Sequence, residues 1–441
     1  MKVTIVGTGY VGLVTGACLT RLGHQVVCVD TDKRRVEMIG RGEPPFHEPG
    51  LPELLRAGLA AGSFAITSQI DEAMAGSALS ILAVGTPPRG EQIDLTAITA
   101  AAGDVGRTIH KAGGYHVVTV KSTVVPGTTE HVVGKAVAAA SGMHIGEFGL
   151  CMNPEFLREG TAVDDFQQPD RIVVGATDAR AAEVLAELYR GFDCPKLVTS
   201  LHNAELIKYA SNALLATMVS FSNEIAALCE SLPGLDEETV MSGVHLDRRW
   251  QTGGKGGPGI LTYLRAGIGF GGSCLPKDVD ALRTFASERR VPTPFLDAVV
   301  SVNRARPGRV TAILDGALGG LRDRTVAVFG LAFKPGTDDL RDSPALALIR
   351  ALREAGAVVR GWDPMIRHVD GITVTATPEP ALDGADAAVI ATAWPELVAL
   401  DWRRLTRPMR RRVVLDGRGA LRGVDLPDDV TVLRIGVGRA P

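Results

Sequence analysis

The first thirty residues constrain the fold more than any other stretch. Val3 to Val6 is a short apolar run, followed by Gly7-Thr8-Gly9-Tyr10-Val11-Gly12 and a helix-like segment from Leu13 to Leu22. Gly23 closes that segment, and a second apolar run, Gln25 to Val29, stops at Asp30. Strand, Gly-x-Gly-x-x-Gly, helix, strand and acid in this order open a dinucleotide-binding unit and predict a parallel sheet flanked by helices. Gly7 permits the tight turn, Gly9 lets the backbone meet a pyrophosphate, and Gly12 lets helix and strand pack closely. The pyrophosphate would sit at the helix amino terminus, beside Tyr10 and Val11, where free amides and the dipole favour anions. Asp30 is placed to accept hydrogen bonds from ribose hydroxyls and to repel a 2′-phosphate, which predicts NAD rather than NADP. Lys33, Arg34 and Arg35 could receive a phosphate, but the acid at the strand end outranks them and leaves Arg35 as a cofactor-side cation.

With 441 residues the chain is expected to form two or three domains. A hydrophobic fraction of 45%, a charged fraction of 22% and a net charge of −3 point away from nucleic acid or a membrane surface as the partner. Met1 to Gly7 reads as a strand entering a turn, not a signal peptide, and no apolar run is expected to reach the length of a membrane span. Six scattered cysteines without a Cys-x-x-Cys pair argue against a zinc site or a disulfide framework. They predict a reducing, cytoplasmic location and no bound metal.

Further strands are expected at Ser80 to Val84, ending in Gly85-Thr86-Pro87, and at His116 to Val120, ending in Lys121-Ser122-Thr123. Ligand-binding loops of open parallel sheets lie at such carboxyl ends, so Thr86 and Thr123 are candidates for the nicotinamide side. Leu150 to Met152 leads into Asn153-Pro154-Glu155-Phe156-Leu157-Arg158-Glu159-Gly160. Glu155 and Glu159 could share a helical face or flank a ligand from a loop, although a solvated charged turn is the first reading. From Ser200 to Glu230 the pattern is one long helix, suggesting a spine between domains or a subunit contact. Lys208 and Asn212 project from one face of it; a solvated stripe is the plain reading.

Thr252 to Gly259 reads as a flexible loop. It precedes Gly267-Ile268-Gly269-Phe270-Gly271-Gly272-Ser273-Cys274-Leu275-Pro276-Lys277-Asp278. Here a cysteine stands in a glycine-rich turn with a cation and a base three and four residues on. A thiolate with a neighbouring base equips covalent catalysis. In isolation the motif reads first as an inert cysteine beside a mobile turn.

The carboxyl-terminal part repeats the first design. Arg324 to Phe329 is a strand, residues 330–343 a loop, Pro344 to Ala355 a helix, and Gly356 to Trp362 a strand ending at Asp363. The glycine fingerprint is missing; the loop carries Lys334-Pro335-Gly336-Thr337-Asp338-Asp339-Leu340-Arg341. Two cations beside a helix start suit a phosphorylated or nucleotide-linked substrate rather than a second dinucleotide. The expected fold is α/β, with two Rossmann-like domains joined by a helical central domain containing a long spine helix. The boundaries are placed at 1–198 for NAD binding, 199–305 for the helical part with the cysteine loop, and 306–441 for the second Rossmann-like part, suited to the phosphorylated or nucleotide-linked substrate.

Taken together, Gly7 to Gly12, Lys121 to Thr123, Asn153 to Gly160, Glu205 to Asn212, Gly267 to Asp278 and Phe329 to Pro344 resemble the UDP-glucose/GDP-mannose dehydrogenase family, in its order and over nearly the whole chain. The resemblance implies oxidation of a sugar C6 alcohol to a carboxylate with two NAD and no metal. It implies Cys274 as the nucleophile of a thiohemiacetal and a thioester, Lys208 and Asn212 as partners of the reacting oxygen, and Asp278 as the group that positions water. It further implies Glu155 for proton transfer, Thr123 for the water network, and Glu159, Lys277 and Arg341 on the cofactor side. Phe156, Leu157, Arg158, Tyr263, Gly271 and Lys334 are implied to line the substrate site. The chain departs from the family pattern before the cysteine loop, where a longer segment, Arg248-Arg249-Trp250-Gln251 through Gly259 to Arg265, replaces an arginine-isoleucine-glycine stretch. That segment bears on nucleotide and sugar choice, so UDP-glucose leads while dTDP-glucose and other NDP-hexoses stay open. A homodimer or larger homo-oligomer through the long helix is expected.

Overall fold

Short apolar runs bounded by glycine and polar residues become strands, and two parallel sheets result. The computed structural model describes residues 1–247 and 260–438. It divides into two compact units, Met1–Ser211 and Asn212–Pro441. In the first unit eight strands pair in the order Lys196–Thr199, Ile172–Ala176, Gly149–Met152, Val117–Val120, Leu79–Leu82, Lys2–Val6, Gln25–Val29 and Phe64–Thr67. All neighbours are parallel except Gly149–Met152 with Ile172–Ala176. Successive residues of a strand face opposite sides. Accordingly Ile81 and Val117 join one apolar core, while Leu82 and Val118 join another. From Lys2–Val6 the chain first builds outward through Gln25–Val29 and Phe64–Thr67, then returns to place Leu79–Leu82 on the other side. The carboxyl ends of Lys2–Val6 and Leu79–Leu82 therefore form the point of strand reversal where such sheets bind ligands.

The second unit holds a six-stranded, wholly parallel sheet in the order Thr373–Thr375, Val358–Trp362, Thr325–Phe329, Ala387–Ile390, Val413–Asp416 and Thr431–Arg434. The same reversal is built around Thr325–Phe329, so the repeat expected from sequence is real at the level of fold. Helices Leu275–Glu288 and Pro294–Leu318 complete this unit together with Glu237–His245 and the flanking helices of the sheet.

The long helix is Leu201–Cys229, and the boundary between the units falls within it. Contrary to the expectation from sequence, this helix is long and apolar enough to cross a membrane by length and composition alone. Half of its most apolar window is buried inside the protein, as for a core helix. Ile260–Tyr263 is a short helical turn, with Tyr263 packed against the cluster of Met218, Met241 and Leu264. The Thr252 to Gly259 loop and the part of the departing segment from Arg248 to Gly259 lie outside the described residues.

Candidate active site

The dinucleotide loop is shaped by what its glycines approach. Gly7 has φ 100°, and a Cβ there would lie 2.8 Å from the Ala83 carbonyl oxygen. A Cβ on Gly12 would lie 2.0 Å from the Gly7 oxygen, whereas over Gly9 nothing lies within 4 Å. That leaves open backbone at the start of helix Tyr10–Arg21, as a pyrophosphate requires. Asp30 accepts from the Thr8 amide at 2.9 Å and hydroxyl at 2.5 Å, and from the Asp32 amide at 3.0 Å. Burial alone would raise its carboxyl, but these hydrogen bonds outweigh burial and hold it below the usual carboxylate range. It is only half-buried, so an oxygen can still accept from a ribose. Arg35 stands beside it, paired with Asp32 at 3.7 Å. Val11 is half-buried at the helix start. At the neighbouring strand ends the Thr86 hydroxyl donates to the Thr123 carbonyl at 2.9 Å, which brings these two residues together.

Asp363 occupies the place in the second sheet that Asp30 holds in the first, but it has no capacity left for a ligand. It is fully buried and accepts from the amides of Leu331, Ala332, Met365 and Ile366 and from the Trp394 indole at 3.0 Å. The second fold thus uses its strand-end acid to hold its own loops.

In the amino-terminal unit, Lys208 Nζ lies 2.8 Å from Glu155 Oε1, with side chains only 5% and 6% exposed. The other Glu155 oxygen accepts from the Leu157 amide at 2.6 Å. The solvated charged turn and the solvated helical stripe are therefore wrong for these residues. Glu155 follows the buried strand end, and the Lys208 ammonium together with the Leu157 amide compensates its desolvated carboxylate. The 153–160 segment is a loop, so Glu155 and Glu159 share no helical face. Two cations lie over the Phe156 ring, Arg171 at 3.9 Å and Lys208 at 5.5 Å from its centroid. Leu157 packs against the apolar core, and the Arg158 guanidinium is ion-paired with Asp165. Glu159 is half-buried and close enough to Tyr10 to raise its hydroxyl.

Three groups here escaped the sequence reading. Lys121 is buried, and its ammonium donates to Asn153 at 2.9 Å while the Tyr189 hydroxyl donates to the same oxygen at 2.6 Å. Burial lowers the Lys121 amine to about 8, with Glu155 opposing and Lys208 reinforcing the shift. A lysine directly after the short valine-rich strand Val117–Val120 was the available signal.

In the carboxyl-terminal unit, Cys274 caps helix Leu275–Glu288 and is exposed, while the other cysteines are buried or half-buried. A helix amino terminus favours an anionic sulfur. Ser273 Oγ lies 3.6 Å from its Sγ. One turn on, Asp278 is 1% exposed and bracketed by Lys277 Nζ at 2.6 Å and Asn212 Nδ2 at 2.6 Å. Asn212 is buried, not part of a solvated stripe.

The loop leading to Cys274 is clamped by residues that sequence alone did not mark. Asn303 accepts from the Phe270 amide at 2.8 Å and donates to its carbonyl at 3.0 Å. Asn223 accepts from the Gly267 amide at 2.8 Å, and buried Arg306 donates to the Gly267 carbonyl at 3.0 Å. A polar residue on an otherwise apolar helix stripe is the only sequence sign of such clamps. A Cβ on Gly271 would lie 2.1 Å from the Asp342 carbonyl, so that position must be glycine for the cysteine loop to rest on the 333–344 loop. In that loop Lys334 stands over the Phe333 ring at 5.6 Å, and Arg341 forms a forked pair with Asp339 at 2.6 to 2.9 Å.

A pocket in the same unit is lined by Arg265, Arg418, Arg422 and Arg434 together with His245, Glu237, Glu238 and Asp416, and Arg422 is ion-paired with Glu238. Arg418 follows strand Val413–Asp416 at its carboxyl end, donates to the Ala391 carbonyl at 2.9 Å, and is lowered to about 10 by burial and by Arg306.

Residues 1–193 match the UDP-glucose/GDP-mannose dehydrogenase family NAD binding domain, 202–305 its central domain and 327–423 its UDP binding domain. The chain belongs to this family. As a member it is an NAD-dependent nucleotide-sugar dehydrogenase, with an NAD-binding domain at its amino terminus. It is 41% identical over 438 residues to a UDP-glucose 6-dehydrogenase of Rhizobium meliloti, covering 96% of each chain. A UDP-glucose dehydrogenase structure from Pyrobaculum islandicum superposes with TM-score 0.88 at 41% identity, over 99% of this chain and 97% of that one. A UDP-D-ManNAc dehydrogenase structure from Pyrococcus horikoshii gives TM-score 0.86 at 27% identity, over 99% of both chains.

Proposed function

We propose that the protein oxidises the C6 hydroxyl of UDP-glucose to a carboxylate, with Cys274 holding the half-oxidised carbon. The observation that carries this reading is the Cys274 helix terminus with Asp278, Asn212 and Lys277 bonded together one turn away. NAD, held by Gly7 to Gly12, Asp30, Thr86 and Thr123, supplies the hydride acceptor for two oxidations per sugar. The buried Lys208 ammonium stabilises negative charge on the C6 oxygen, and Glu155, already bonded to it, takes the hydroxyl proton. Cys274 Sγ adds to the resulting aldehyde carbon, and its oxygen takes up a proton to give a thiohemiacetal. Loss of a hydride and a proton leaves a thioester. Water directed by Asp278 cleaves the C–S bond, releasing the carboxylate and returning the thiol. Asn212 orients both Asp278 and the reacting oxygen; Thr123 supports the water network. Glu159, Lys277, Arg35 and Arg341 serve the cofactor side. Phe156, Leu157, Arg158, Tyr263, Gly271 and Lys334 serve the sugar nucleotide, whose diphosphate suits the arginine-lined pocket.

The same proposal divides the chain functionally at residues 198 and 305, in line with the three matched domains. It makes the protein a homodimer through Leu201–Cys229, whose Leu206, Leu214, Phe221 and Leu228 are exposed at near-heptad spacing. Six cysteines, none of them in a disulfide and one of them exposed, suit a reducing cytoplasm. The test is turnover with UDP-glucose, dTDP-glucose, UDP-N-acetylmannosamine and GDP-mannose, followed by NADH absorbance. The expected result is two NADH per UDP-glucose and little turnover of the others. One NADH with free aldehyde, or full turnover of Cys274→Ser, would refute the mechanism; preference for another sugar would refute the substrate.

A further inference from the structure

Glu48 is a carboxylate for which neither the sequence nor the proposed chemistry provides a use. It is 2% exposed, yet no cation among the described residues pairs with it. Its partners are three donors from two separate parts of the amino-terminal unit. Oε2 accepts from the Tyr10 hydroxyl and from the Gly160 amide at 2.7 Å; Oε1 accepts from the Ala162 amide at 2.7 Å. The Gly160 amide also donates to the Tyr10 hydroxyl oxygen at 3.1 Å, closing a small ring of bonds. Tyr10 stands between the second and third glycines of the dinucleotide loop, and its ring rests on Phe46 with centroids 4.9 Å apart. Gly160 and Ala162 end the loop that carries Glu155 and Glu159. Burial, and then the bond to Glu48, push the Tyr10 hydroxyl far up, so it stays a donor at any working pH.

Burying a carboxylate without a cation is costly, and an apolar residue could fill the space. What only a carboxylate supplies here is two oxygens that accept from both loops at once. We infer that Glu48 is a positioning residue for the reaction: it locks the dinucleotide loop, through Tyr10, to the loop presenting Glu155. The cofactor side and the proton-transferring carboxylate then share one rigid frame. This rests on the reading of Glu155 as a reacting group.

The test uses the full-length enzyme with Glu48→Gln, Tyr10→Phe and the double variant. Glutamine offers one acceptor oxygen and turns an NH2 toward a donor; phenylalanine removes only the hydroxyl. Each single variant should keep the wild-type circular dichroism and lose kcat about 10-fold or more at saturating NAD and sugar, because small misplacement of reacting groups is expensive in rate. Since both changes cut one link, the double variant should stay within about two-fold of the slower single variant. Losses that multiply would overturn the shared-link inference, as would a folded Tyr10→Phe enzyme with unchanged kcat. If Glu48→Gln does not fold, Tyr10→Phe still decides the question. Glu155→Gln separates the two readings. Full turnover in that variant removes the proposed chemistry, whereas an inactive Glu155→Gln beside fully active Glu48→Gln and Tyr10→Phe removes only the link.

Discussion

Lys208→Met separates the structural and chemical roles of the buried ion pair. Lys208 and Glu155 are 2.8 Å apart with side chains 5% and 6% exposed, so removing the cation strands a carboxylate in a desolvated site. Breaking a buried pair in this way costs about 3–5 kcal/mol. The Leu157 amide at 2.6 Å and the nearby Lys121 ammonium still serve Glu155, which places the expected cost near the lower end, about 3 kcal/mol. For a unit the size of Met1–Ser211 that corresponds to a fall in melting temperature of roughly 6–12 °C. Lys208→Met/Glu155→Gln removes both charges, and replacing a whole buried pair is close to neutral, so its stability should return to within about 1 kcal/mol of the parent. Turnover should be lost in both variants. Scanning calorimetry with NADH absorbance distinguishes these effects. A Lys208→Met protein that melts with the parent, or a double variant as unstable as the sum of the single changes, would refute the argument.

Lys121 gives a pH signature. Its amine is lowered by burial to about 8, so between that value and the ordinary lysine value the unfolded chain binds more protons than the folded one. Its contribution to stability therefore rises with pH across this window, by at most about 1.4 kcal/mol per pH unit. The buried thiols Cys18 and Cys151, raised to about 12 by burial, act in the opposite direction above the thiol range. The clean observable is the difference between Lys121→Met and the parent: the variant's stability relative to the parent should fall as pH rises from about 8 to 10, and a constant difference would contradict the assignment. Asp30→Ser should raise kcat/KM with NADP relative to NAD by about 10-fold or more, since it removes a carboxylate facing the 2′-phosphate. An unchanged cofactor ratio would mean that Asp30 only holds Thr8.

The dinucleotide half of the site was legible because local chemistry writes it into consecutive residues. Gly7 and Gly12 are dictated by backbone geometry within one turn, and Asp30 by the end of the adjoining strand. The cysteine motif was equally visible, but not its support: Asn223, Asn303 and Arg306 reach the Gly267–Phe270 loop from helices 33 to 44 residues away in sequence for the bonds from Asn303 and Asn223, and 39 for that from Arg306. Lys208, Asn212 and Glu155 had plain surface readings from their own segments; the resemblance implied roles for them, and their burial overturns the surface reading.

Sequence by itself determined the two parallel sheets, the dinucleotide loop, the long helix and the residue types available for covalent oxidation. These depend on periodicity, turn chemistry and spacing, which are local. Tertiary structure alone decided which charges are desolvated and what compensates them. Glu155 became a buried partner of Lys208, Asp363 a fully occupied brace where Asp30 keeps an accepting oxygen, and Glu48 a buried carboxylate that joins two loops through neutral donors. Such outcomes depend on solvent exclusion and on contacts between distant segments, and a linear pattern carries neither.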